Sequence, residues 1–188
     1  MTFDFQAARL TMVESQVRTS DVTDYLVQDA MRIAPREILC PLGKKAIAYA
    51  DADLEYAPGL YLLRPRAVGK LLQAVKPEVH EKALCIAAPY AALVLRTAGL
   101  EVDEIAADQT PARGAYDVVV SEGAVSEVPA AWTAALREGG RMAVIVREGP
   151  MGKARLYVKK DGLVASCEVF DAAAPFLPGH EPKVQFAF

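Results

Sequence analysis

The chain has 188 residues, 53% of them apolar, and a mean hydropathy of +0.16, enough for a sizeable core and best suited to one domain with a small helical extension. A formal net charge of −3 and a pI near 5.5 argue against a nucleic-acid footprint. No run reaches the ~18 apolar residues of a membrane span.

Cysteines 40, 85 and 167 have no metal-ligand spacing, and Cys85 and Cys167 fall in apparent strands, so both read as buried free thiols and no metal is expected. The odd thiol count fits a reducing compartment. The first residues, MTFDFQAARL, carry an early Asp and no apolar run, unlike a secretory leader, which makes the cytoplasm the expected location.

In chain order, Leu10, Val13 and Val17 share one face of a helix over 6–17, closed by Thr19-Ser20-Asp21. Thr23 or Asp24 caps a second helix with Leu26, Ala30 and Ile33 inward, broken at Pro35. Arg36–Leu39 is at most a short turn, and residues 41–62 read as mostly irregular. Pro65 opens a helix carrying Val68, Leu71, Leu72 and Val75, and Pro77 stops it. Residues 1–78 thus form an N-terminal helical extension, and residues 82–188 an α/β sheet core.

The core begins with a buried strand over 83–87, a very short turn, and a helix over about 90–98 stopped by Gly99. In doubly wound proteins this first strand-turn-helix is where a nucleotide-like cofactor sits. Strands follow at about 101–106 and 116–121, a helix near 128–137 stopped by Gly139-Gly140, and a buried strand over 141–147. A hairpin over 154–170 turns at Asp161-Gly162, and Val184–Phe188 suggests a last strand.

Three collinear stretches carry a family resemblance. They are Met12-Val13-Glu14-Ser15-Gln16-Val17-Arg18 with Pro35-Arg36-Glu37; Tyr116-Asp117-Val118-Val119-Val120 with Glu122-Gly123-Ala124-Val125 and Leu136-Arg137-Glu138-Gly139-Gly140; and Gly152-Lys153-Ala154-Arg155-Leu156-Tyr157 with Phe170-Asp171. The chain resembles the protein-L-isoaspartate O-methyltransferase family, as a divergent bacterial member with degraded cofactor motifs. The resemblance implies a Rossmann-like class I methyltransferase fold: N-terminal helices, a mostly parallel seven-stranded sheet, and a final antiparallel hairpin.

The departures from the family are specific. Its first strand ends in an Asp-x-Gly-x-Gly-x-Gly-like loop that lets the backbone approach S-adenosylmethionine. Here Cys85 stands at the Asp position, Ala87 at the first glycine, and Ala88-Pro89 close a shorter turn. Asp103, Glu104 or Asp108 can be the remnant of the family's ribose-binding carboxylate, or simply solvated charges. The helix, strand and helix that wall the adenine in the family are missing, since only residues 106–115 separate Ile105 from Tyr116. The Ser/Thr-rich acceptor segment is replaced by Gly59–Arg66, in which Arg64 and Arg66 can hold a carboxylate or phosphate, or merely start a solvated helix.

Ala87, Pro89, Glu104 and Glu122 are therefore the vestigial cofactor-site candidates, with Glu122 expected to face the residual pocket. No catalytic residue stands out. Three functions fit: a pseudoenzyme that has lost its cofactor and acts by binding or as structure, an active S-adenosylmethionine-dependent methyltransferase with a remodelled pocket, and a binder of another small anion. The expected cofactor is none, or S-adenosylmethionine if the second holds. The expected partner is a protein or a second copy of the chain, not nucleic acid, membrane or metal. The shortening also predicts a charged sheet edge at 101–106.

Overall fold

The computed structural model describes residues 4–183. Asp4 caps α1 (Phe5–Met12) by accepting from the Ala7 amide, and the helix runs on through a π turn, Val13–Val17, and a 3-10 turn, Arg18–Ser20. Asp24 caps α2 (Tyr25–Ile33) by accepting from the Val27 amide. The inward stripe of α2 is Val27, Ala30 and Met31, at i, i+3 and i+4. Ile33, expected inward, lies off that stripe and is exposed.

Residues 41–62 are more regular than their sequence suggests. They hold a 3-10 helix, Leu42–Ile47, and a hairpin of β1 (Leu54–Ala57) and β2 (Leu60–Leu62). Pro58-Gly59 makes the turn, with Gly59 at a φ of 71°. The extension is therefore not purely helical. Pro65 is the first residue of α3 (Pro65–Val75), whose Val68, Leu71, Leu72 and Val75 are all fully buried.

The main sheet has the order β4-β3-β5-β6-β7-β8, built from β3 (Lys82–Ile86), β4 (Glu101–Ile105), β5 (Tyr116–Val125), β6 (Leu136–Arg147), β7 (Gly152–Lys160) and β8 (Leu163–Ala172). The first four run parallel, and β7 and β8 add antiparallel, giving the class I methyltransferase arrangement. Six strands are present among the described residues where the resemblance implied seven; Val184–Phe188 lies outside them. β5 runs on to Val125 rather than ending at 121. The helix expected over 128–137 is only α5 (Ala130–Ala134), because the chain is already in β6 at Leu136. Gly139 and Gly140 do not stop a helix. A side chain at Gly140 would lie 2.8 Å from the Tyr116 carbonyl, so this glycine admits the close approach of β5.

The N-terminal helices, α3 and α4 (Pro89–Thr97) cover one face of the sheet, over Cys85, Val118, Val120 and Ile145. Trp132 of α5 and Leu177 of the tail pack on the other, over Leu84, Ile86, Val119 and Met142. Cys40 and Cys85 are buried, but Cys167, expected to be buried, is exposed on the edge strand β8. β4 is the opposite edge, as the shortened sequence implies. Its Glu101 and Asp103 pair with Lys82, each at 3.3 Å, and its Glu104 pairs with Arg96. No helix among the described residues is long and apolar enough to cross a membrane.

Candidate functional site

The carboxyl ends of β3 and β4 meet in a shallow hollow of about 330 Å³, lined by Tyr56, Leu60, Ala87, Pro89, Glu104 and Gln109. Ala87 forms the turn out of β3, its amide bonded to the Ile105 carbonyl at 2.9 Å. Its φ is 45°, left-handed, where an alanine costs roughly 1–2 kcal/mol and a glycine nothing. Pro89 opens α4 and brings no N–H to the site. Glu104 lies on the rim, held by Arg96. Asp103 is taken by Lys82 and the Tyr116 hydroxyl, and Asp108 is exposed in the loop.

Three of the four expected site residues thus come together. Glu122 does not join them, because β5 carries it beneath the hollow, where it is 1% exposed. Its carboxylate accepts from the Ala91 amide at 2.6 Å and the Leu63 amide at 3.1 Å, and also from the Tyr90 amide. α4 has no side-chain cap of its own, so Glu122 satisfies amides that the start of a helix leaves unpaired. Burial pushes its carboxyl up to about 7, against the opposing pull of the Arg36 guanidinium and the three amides.

Arg36 is the partner that sequence reasoning missed. It is fully buried, donates to the Ala48 carbonyl at 2.8 Å and the Leu62 carbonyl at 3.2 Å, and lies 4.6 Å from the Tyr90 ring centroid. Its only sequence signal is its place after Pro35 in the first family-like stretch.

A second, larger cavity of about 400 Å³ lies across the start of α3, between the ends of β6 and β8. Leu63, Ile145 and Phe170 line it, together with Asp21, Arg64, Arg66 and Lys70. Both arginines are already neutralised within the chain: Arg64 pairs with Asp53 at 3.1 Å and Arg66 with Asp51 at 3.3 Å.

The tail after β8 crosses the carboxyl ends of the strands. Phe176 bridges to Ala124, and Leu177 lies so close to Gly123 that a side chain there would come within 2.5 Å of it. His180 is half-buried, tilted against Trp132 with its Nε2 3.1 Å from the Ala107 carbonyl oxygen.

No family model matches the chain. It is 30% identical over 165 residues to the protein-L-isoaspartate O-methyltransferase of Rhodopseudomonas palustris, spanning 72% of this chain and 76% of that protein. The chain belongs to the protein-L-isoaspartate O-methyltransferase family. A shorter match to the protein-L-isoaspartate O-methyltransferase of Aeropyrum pernix is 36% identical over 84 residues, 45% of this chain and only about a third (32%) of that protein. Among solved structures, a Plasmodium falciparum chain assigned as a protein-L-isoaspartate O-methyltransferase, in complex with S-adenosyl-L-homocysteine, has the same fold. Its TM-score is 0.72 at 16% identity, covering 90% of this chain and 97% of that one. The isoaspartyl methyltransferase fold is thus shared across nearly the whole chain.

Proposed function

We propose that this member of the protein-L-isoaspartate O-methyltransferase family is a non-catalytic binding protein whose cofactor motifs are degraded. The observation that carries the proposal is the position of Glu122. Amides at the start of α4, which in an anion or nucleotide site would face a ligand, are engaged by the chain's own carboxylate.

Other features do not fit S-adenosylmethionine either. Ala87 carries a Cβ at a glycine-like backbone angle, and Pro89 supplies no donor. Residues 106–115 form neither helix nor strand, where the family resemblance implied a helix, a strand and a helix walling the adenine. The hollow, at about 330 Å³, is at the low end of the ~300–1,000 Å³ of ligand pockets. A protein partner or a second copy of the chain is the proposed target of such a scaffold.

Family membership favours a second reading, an active methyltransferase with a remodelled pocket. Methyl transfer to a carboxylate needs mainly proximity and in-line geometry, so few catalytic side chains are required. Incubation with methyl-labelled S-adenosylmethionine and an isoaspartyl peptide separates the two. We expect no base-labile methyl ester above the blank; stoichiometric or greater incorporation overturns the proposal.

A further inference from the structure

The charges around the larger cavity are not all spent. Arg64 and Arg66 are paired with Asp53 and Asp51. Asp171 is held by Lys153 at 2.9 Å. Lys70, in contrast, has no carboxylate partner among the described residues; its ammonium lies 4.7 Å from the centroid of the Phe170 ring. Among the described residues, Asp21 is engaged through its backbone alone. Its amide caps the first helical segment by bonding the Arg18 carbonyl, and its carbonyl accepts from the Gln73 side chain at 2.9 Å. Asp21 is thus the one acidic residue lining the cavity whose carboxylate has no ion-pair partner among the described residues, and Lys70 the one such cation.

The apolar part of the lining is Leu63, Ile145, Phe170 and Ala172, beside the ion-paired Asp53, Arg64, Arg66 and Asp171. A cation and an anion that lack ion-pair partners among the described residues, beside an apolar part of the lining, in about 400 Å³, are complementary to a molecule that is itself a zwitterion with an apolar side chain.

We propose that this cavity binds a free apolar α-amino acid, its carboxylate on Lys70, its ammonium on Asp21 and its side chain against Leu63, Ile145 and Phe170. This deepens the binding role proposed above by naming a ligand class, but it uses a different cavity from the hollow at β3 and β4, so either proposal can fail alone.

L-leucine and L-phenylalanine are the probes, followed by titration calorimetry and thermal melting of the whole chain. A dissociation constant below about 1 mM for at least one is expected, within the efficiency of ligands this small. N-acetyl-leucine lacks the ammonium and leucinamide the carboxylate, and each should bind at least about tenfold more weakly. Asp21→Asn and Lys70→Met should each weaken leucine or phenylalanine binding by a similar factor. Both sites lie at the surface of the cavity, and unchanged melting of the unliganded variants confirms that they fold. If either variant melts early, the two blocked ligands on the unaltered chain decide instead. No binding of either amino acid at 10 mM, or equal binding of the blocked forms, overturns the proposal. S-adenosylhomocysteine carries the same zwitterion: any binding lost in both variants belongs to this cavity, and binding that survives belongs to the hollow.

Discussion

The Glu122 carboxylate and the Ala91 amide lie 2.6 Å apart, a bond from β5 to the first turn of α4. With the Leu63 bond it ties three segments together beneath the hollow. A charged or polar cap normally comes from the residue just before its helix. Here Ala88 holds that place and cannot serve, and a residue 34 positions later does the work.

The first prediction concerns pH. In the unfolded chain the Glu122 carboxyl ionises near 4.5, whereas in the fold burial holds it protonated up to about 7. Between these values the native state binds more protons than the unfolded state, so stability falls as pH rises through the window and levels off above it. The depressed Glu81 carboxyl acts below that window. Melting temperature from pH 5 to 8 should therefore drop in the natural chain relative to Glu122→Gln, and parallel curves would refute this.

Ala87→Gly should leave stability unchanged or raise it by up to about 0.5 kcal/mol. Relief of a left-handed alanine, roughly 1 kcal/mol or more, offsets the added freedom of the unfolded chain. Ala92→Gly, inside α4, should cost about 1 kcal/mol or more. Denaturant melts of the two variants check the contrast, and an equal loss in both contradicts the strain assigned to Ala87.

Gly123→Ala should cost about 2 kcal/mol or more, because the added methyl meets Leu177 at a backbone angle that favours glycine. Leu177→Ala alone loses a buried side chain, but in the Gly123→Ala background its cost should shrink by at least about 0.5 kcal/mol. Strict additivity in a double-mutant cycle argues that the tail does not pack on Gly123.

Of the three thiols, Cys167 alone should react quickly with a disulfide reagent in the folded protein. Burial pushes the Cys40 and Cys85 thiols up and shields them. Cys167→Ser should abolish the fast phase; a remaining fast thiol would show that the core opens readily.

The alternation of strand and helix after Lys82 was readable because apolar runs, glycines and prolines coincide there, and Pro65 opens a helix as expected, whereas Pro89, expected to close the turn, is already the first residue of α4. The β1–β2 hairpin was not, because its strands are four and three residues long and half-buried, with too little alternation to register. Cys167 misled because a strand-like pattern does not say whether a strand is central or at an edge. At the site, sequence position located Ala87, Pro89 and Glu104, which follow directly from strand ends. It misplaced Glu122, since whether an acid at a strand end points into a pocket or under a helix depends on register. The β5–β6 pairing shifts between Val120 and Ala124, around Glu122, which no local pattern reveals.

The measurement that bears most directly on the proposed loss of the cofactor site is calorimetric titration of the chain with S-adenosylhomocysteine, repeated with Ala87→Gly/Pro89→Gly. With the α4 amides held by Glu122 and only a loop after β4, binding at the hollow, read as what survives Asp21→Asn and Lys70→Met, should be weaker than about 1 mM, and restoring the two glycines should not rescue it. A dissociation constant below about 50 μM that survives Asp21→Asn and Lys70→Met would contradict the proposed loss of the site and place the active methyltransferase first.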